Sequence, residues 1–205
     1  MVARLIRCTL LGVGAMRSPL YRPSGLLVAY GRRRLYLDGG PGAEPPAETK
    51  AWLLTDDQAE LSGPIRRMAA GAGIERPAVR RLDVDGLWVQ PKPVEHTNHP
   101  AYGYLLEAGE RRVVWAPEFW TFPNWADDAD LMFADAAGWN RPIRFRGGIG
   151  GHACVLDISA TARKRGVRRL VFAHIGRPSI RARDAGERPP FGEWGVEGRT
   201  YVVRS

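Results

Sequence analysis

What most narrows the fold is a series of short apolar or alternating segments, at residues 4–12, 25–29, 34–37, 51–54, 87–89, 102–107, 112–115, 131–134, 169–174 and 199–203. Their lengths and their alternating or wholly apolar pattern read as β-strands. Two stretches read as helices. Residues 59–70 follow Thr55 and Asp56 as candidate caps, with a possible restart at Pro64, and residues 153–165 are closed by Gly166. In the second, Val155, Ile158 and Ala162 share one face, and Arg163 to Arg165 suit the negative end of the helix dipole. Strand-rich halves that each carry helices imply a layered α/β (α+β) arrangement. Residues 176–196, with Pro178, Pro189, Pro190 and four arginines, read as a long surface loop.

The chain has no repeat, heptad or long linker, and 205 residues suit one domain, 1–205. With 44% hydrophobic and 25% charged residues it is globular rather than disordered. Arg4, Arg7, Arg17 and Arg22 interrupt the apolar residues of the first thirty, so neither a secretory segment nor a membrane span is expected, and a cytoplasmic location is. Cys8 and Cys154 lack disulfide-framework or metal-site spacing and read as small buried hydrophobes. The net charge of +8 is carried almost wholly by arginine, since Lys50, Lys92 and Lys164 are the only lysines. Guanidinium suits bidentate phosphate binding, but arginines scattered over a solvated surface give the same total. The aromatic run Trp115, Phe119, Trp120, Phe122, Trp125 and Trp139 reads as core and loop packing, with a pocket wall or base-stacking platform as the other reading.

The four histidines, His96, His99, His152 and His174, sit near strand ends or beside glycine, where loops build sites on a rigid frame. The words around them resemble the metallo-β-lactamase superfamily, especially its RNase Z-like and cyclic-phosphodiesterase branch. Leu11-Gly12-Val13-Gly14-Ala15, Ser18-Pro19 and Ser24-Gly25-Leu26-Leu27-Val28 resemble its opening strand and glycine turn. Leu35-Tyr36-Leu37-Asp38-Gly39-Gly40-Pro41-Gly42 resembles the segment whose aspartate, here Asp38, supports the metal ligands without binding the metal. Val94-Glu95-His96-Thr97, followed by Ala101-Tyr102-Gly103-Tyr104-Leu105-Leu106-Glu107, resembles the segment of the third ligand histidine. Arg112-Val113-Val114-Trp115-Ala116-Pro117-Glu118 resembles the strand before the bridging aspartate. Gly151-His152 resembles the pair that supplies a general acid, and Arg169-Leu170-Val171-Phe172-Ala173-His174 the strand of the last ligand histidine. The resemblance runs nearly end to end and implies an αββα sandwich. His99, between Asn98 and Pro100, has no counterpart in it and reads as structural.

The superfamily's Thr-His-x-His-x-Asp-His falls on Thr55-Asp56-Asp57-Gln58-Ala59-Glu60-Leu61, and all three histidines are gone. By the resemblance a first metal would use the positions of Asp56, Gln58 and His96, and a second those of Glu60, Leu61 and His174, with Glu118 between. Leu61 has no donor atom and Gln58 offers only a neutral carbonyl. Asp56, Glu60, His96, Glu118 and His174 remain, an oxygen-rich set suited to one divalent ion, zinc, manganese or iron(II), with magnesium also admissible, or to none. Thr55-Asp56-Asp57-Gln58 also resembles the PQQ-biosynthesis B-type branch, although Glu60 and Leu61 depart from that version. The resemblance implies hydrolysis of a phosphodiester or related ester by water activated at the cation, with His152 protonating the leaving oxygen and the helix end beside it offering amides to an anion. The alternative is a catalytically silent member that binds a nucleotide, nucleic acid or protein. A phosphate-bearing small molecule or nucleic acid is the expected partner, and a homo-oligomer the expected assembly.

Overall fold

The computed structural model describes residues 5–204. In chain order the elements are β1 (Leu5–Gly12), β2 (Gly25–Tyr30), β3 (Arg33–Asp38), β4 (Ala51–Leu53), α1 (Ser62–Gly71), β5 (Leu82–Val84), β6 (Leu87–Val94), β7 (Ala101–Ala108), β8 (Arg111–Ala116) and β9 (Leu131–Ala136). They continue with β10 (Ile143–Arg144), β11 (Gly151–His152), α2 (Val155–Lys164), β12 (Leu170–Ile175), α3 (Arg177–Asp184), β13 (Glu193–Trp194) and β14 (Thr200–Arg204). All ten expected strands are present. Arg4, placed in the first of them, lies outside the described residues.

Two sheets form. One is five-stranded in the order β14-β1-β2-β3-β4; the other is seven-stranded in the order β13-β12-β9-β8-β7-β6-β5. Apolar side chains meet between them: Ile6, Cys8 and Leu10 of β1 and Leu26 and Val28 of β2 join Tyr104, Leu106, Val113, Trp115 and Phe133 in one buried cluster. Tyr201 of the first sheet meets Phe133 of the second edge-on at 5.4 Å. Alternation sends Leu35 and Leu37 inward while Tyr36 faces out, where Tyr36, Trp52 and Leu54 receive Ile65 and Ala69 of α1. On the far side α2 buries Val155, Ile158 and Ala162 against β9 and β12, the face read from the sequence. Helix, sheet, sheet and helix therefore stack as the expected αββα sandwich.

Three departures from the expected elements have local causes. Strand β6 runs on through Pro91 and Pro93 to Val94, because β5 pairs only its residues 87–89 and leaves the proline side of the ladder free. Residues 177–184, expected as loop, form α3. Pro178 stands in its first turn, where no amide is required, and Ser179, Ile180 and Ala182 are buried while the arginines take the other faces. Helix α1 begins at Ser62, later than expected, and neither Thr55 nor Asp56 caps it. Both cysteines are buried and free. Among the described residues no helix is long and apolar enough to cross a membrane.

Sheet topology gathers chemistry at one edge. Strands β8, β9 and β12 run parallel, and their carboxyl ends lead to Glu118, Asp135 and His174. Strands β3 and β4, also parallel, end beside them with Asp38 and the 55–61 turn. Sites in parallel sheets lie beyond such ends.

Candidate metal centre

His174 owes its position to a bulge. The β12 register against β9 shifts between Phe172 and Ile175, and His174 takes a left-handed backbone with φ 58°. Its amide donates to Ser24 Oγ at 2.7 Å, fixing the kink. Its Nε2 then lies 3.2 Å from Glu118 Oε1.

His96, in the turn between β6 and β7, approaches the same oxygen, its Nε2 3.6 Å from Oε1. The Nδ1 of His96 is 2.9 Å from the Gly151 carbonyl, and the Gly151 amide donates back to the His96 carbonyl at 2.8 Å. A carbonyl accepts only from N–H, so Nδ1 carries a proton and Nε2 is the nitrogen that faces Glu118.

His152, on β11, makes the same kind of arrangement with a carboxylate. Its Nδ1 is 2.8 Å from Oδ2 of Asp135, a fully buried residue that also accepts amide hydrogens from Phe119 and Ala137. The His152 ring stacks on His174 at 5.2 Å and meets His96 edge-on at 4.8 Å, while Phe145 packs against His96 and His152.

The electrostatics follow from this packing. Burial works against charge on Glu118, but His174, His96 and His152 outweigh it and hold its carboxyl below the usual range. Burial disfavours a charged His152, yet Asp135 prevails and pushes it up to about 9. Burial lowers His174, opposed in part by Glu118 and Asp135. Withheld water raises Asp38 to about 7 in spite of hydrogen bonds from Trp115 and Thr55.

Two separations at Glu118 Oε1 match those between neighbouring ligands of a cation. Bonds of about 2.1 Å in a tetrahedral site put neighbouring ligand atoms about 3.4 Å apart, close to the 3.6 and 3.2 Å separations around Glu118 Oε1. Among the described residues, His96, Glu118 and His152 form a group whose ligand atoms all lie within 4.8 Å of one another. Both anchored imidazoles have the partner that metal-binding histidines commonly use on their other nitrogen.

The remaining sequence candidates lie around this group. Asp38 ties the start of the 55–61 turn to β8: its Oδ1 accepts from the Thr55 amide at 2.7 Å and hydroxyl at 2.9 Å, and its Oδ2 from Trp115 Nε1 at 2.7 Å. Asp56 is buried and turned to other partners, the Gln58 amide at 2.7 Å and His99 Nε2 at 2.8 Å. Glu60 is exposed and pairs with Arg17 at 3.6 Å. Asp135 was missed by the sequence reading, and His99, read there as structural, pairs with Asp56. Asp135 could have been found as a carboxylate near the end of the apolar strand β9, whereas no sequence signal ties His99 to Asp56.

One expectation is corrected. The helix beside His152 begins only at Val155, and its first amides are occupied, Val155 donating to the Gly138 carbonyl at 3.0 Å and Leu156 to that of Trp139 at 3.2 Å. That helix end presents no free donors of this pair to an anion. The group opens instead into a cavity of about 550 Å³ whose wall includes Phe145, Ile143, His99, Gln58 and Arg177.

No protein-family model matches the chain, and no curated protein does. Solved structures do match. The metallo-β-lactamase fold protein YhfI from Bacillus subtilis superposes with a TM-score of 0.74 at 14% identity, covering 98% of this chain and 100% of that one. A diphosphatase from the PhnP family gives 0.70 at 17% identity, covering 98% of each chain. Zn²⁺-bound PqqB from Methylobacterium extorquens gives 0.70 at 15% identity, covering 96% of this chain and 100% of that one. The chain has the metallo-β-lactamase fold.

Proposed function

We propose that this chain, with its metallo-β-lactamase fold, is a metal-dependent hydrolase of a phosphodiester or related ester that works with one cation, held by His96, Glu118 and His174. The observation that carries the reading is the Glu118 carboxylate set between two Nε2 atoms at 3.6 and 3.2 Å. The cation, when bound, supplies Lewis acidity that polarises the electrophile and acidifies water. The rest is done by the chain. Asp135 holds His152 by Nδ1 and keeps it protonated, so that Nε2 can give a proton to the leaving oxygen. Gly151 holds His96 in the tautomer that binds, and Asp38 holds the 55–61 turn against the site. Arg177 in the cavity wall suits an anionic substrate, and about 550 Å³ suits a small phosphate-bearing molecule better than a nucleic acid duplex. A diphosphatase and a zinc-bound protein among the structural neighbours agree with this reading.

A second reading comes from the 4.8 Å group, which makes His152 a ligand in place of His174. Metal analysis of protein purified without chelator or metal resin tests both readings. About one transition metal per chain is expected, lost in His96→Ala. His152→Gln keeps the metal and loses turnover if His152 is the donor, and loses the metal if it is a ligand. Substoichiometric metal, with no gain in melting temperature on adding Mn²⁺ or Zn²⁺, overturns the hydrolase and favours the silent binder.

A further inference from the structure

A second cavity, of about 80 Å³, reaches Glu118 and His174 but not His96 or His152. Met16, Pro23, Leu54, Ala59, Leu61 and Ile65 form an apolar part of its wall. It shares Met16, Asp56, Ala59, Glu118 and His174 with the 550 Å³ cavity, so the two meet at the Glu118 carboxylate. Four of the polar side chains that line it, Ser24, Asp38, Thr55 and Asp56, are already engaged. Ser24 Oγ donates to the Gly14 carbonyl and accepts the His174 amide. Asp38 accepts from Thr55 and Trp115, and Asp56 from Gln58 and His99. Water entering such a space finds few unused partners, whereas an apolar group removes the aliphatic wall from water.

We infer that this cavity is a subsite for a short aliphatic group of the substrate, carried next to the bond that is broken. The inference rests on the hydrolase reading for the guest's being a substrate, and deepens it by naming what one substituent must be. Size sets the limit: an apolar cavity of about 150 Å³ takes benzene, and this one has about half that volume. A chain of a few carbons fits and an aryl ring does not.

Two measurements test it. In chelated protein, xenon under pressure is followed through the methyl resonances. Saturable shifts are expected at Leu54, Leu61 and Ile65, with none at Ile158, which is buried with α2. Ala59→Val and Leu61→Phe, which narrow the cavity from two sides, should abolish the shifts; Ala59 lies in the partly exposed turn, so at least that variant is expected to fold. In metal-loaded protein, kcat/KM for alkyl 4-nitrophenyl phosphate diesters should rise about fourfold per added methylene until the cavity is full. It should gain nothing from a phenyl group, and the rise should flatten in Ala59→Val. Unmoved methyls, or a chain-length profile unchanged by Ala59→Val, overturn the subsite. Xenon binding without turnover of any diester overturns the hydrolase reading and with it the substrate assignment, whereas turnover without xenon binding overturns the subsite alone.

Discussion

Replacing Asp38 with asparagine should change how the stability of this protein responds to pH. In the folded chain the carboxyl titrates at about 7, and in an unfolded chain at about 3.9. A folded-state pKa raised above the unfolded one favours the protonated native form. That stability is fully present below about pH 4 and is lost as pH rises through about 7. Three units at about 1.4 kcal/mol each set a ceiling of about 4 kcal/mol. Asp38 faces the smaller cavity and is only part-buried, so about 2–4 kcal/mol is the expected range. Asparagine tolerates the left-handed backbone at φ 54° and can still accept both Thr55 hydrogen bonds with its oxygen. Its amide nitrogen would face the Trp115 Nε1 donor, a pH-independent cost of about 1–3 kcal/mol. The assay is urea unfolding of both proteins between about pH 4 and 8, with chelator present because a cation at Glu118 would itself favour the Asp38 carboxylate. Taking wild type minus variant cancels what His152 and His174 add to the pH dependence. The difference should shrink steadily as pH rises. A difference constant to within about 0.5 kcal/mol would show that Asp38 ionises as an ordinary carboxylic acid, and would refute the argument from withheld water.

Asp135→Asn removes the charge that outweighs burial at His152. Ring titration by NMR should then show His152 losing its proton at or below the ordinary histidine value, and a His152 still charged at pH 8 would contradict the assignment. Since Asp135 also accepts from the Phe119 and Ala137 amides, the variant should be about 2–3 kcal/mol less stable by urea unfolding. Glu60→Ala should leave metal content unchanged and stability within about 0.5 kcal/mol, because Glu60 is exposed and holds only Arg17; loss of metal would return Glu60 to the ligand set. Gly150→Ala would put a methyl group 1.8 Å from the His96 carbonyl at a φ of 68°. Competition with a fluorescent chelator should show at least about tenfold weaker metal binding, and wild-type affinity would mean that the hairpin does not position His96.

Elements whose pattern is set by burial were legible in the sequence. Alternating or wholly apolar runs located ten of the strands, and the Val155, Ile158, Ala162 stripe located α2 and its buried face. Elements that depend on a distant partner were not. The two-residue strands β10, β11 and β13 carry no pattern of their own, and α3 was hidden by prolines and arginines that suit a loop equally well. The site divides in the same way. His96, Glu118 and His174 sit at or just beyond strand ends in words that resemble a known family, and the structure brings the three together. Asp56 and Glu60 were carried over by position alone within a rewritten motif, and the folded turn directs one to His99 and the other to Arg17. The single charge on His152 could not be read from Gly151-His152, because Asp135 reaches it only once β9 and β11 are placed.

The hairpin of β10 and β11 is held at its base by the exchange between His96 and Gly151, while at its tip Gly147 and Gly148 have left-handed backbones, at φ 91° and 76°, and an added Cβ at either would find open space. A chain can be opened or lengthened at such a point without disturbing what lies beneath. The tip is therefore a natural port for an inserted reporter domain or a new pair of termini a few residues from His152, so that occupancy of the cavity could be read out by a fused sensor while the histidines stay locked to their carbonyl and carboxylate partners.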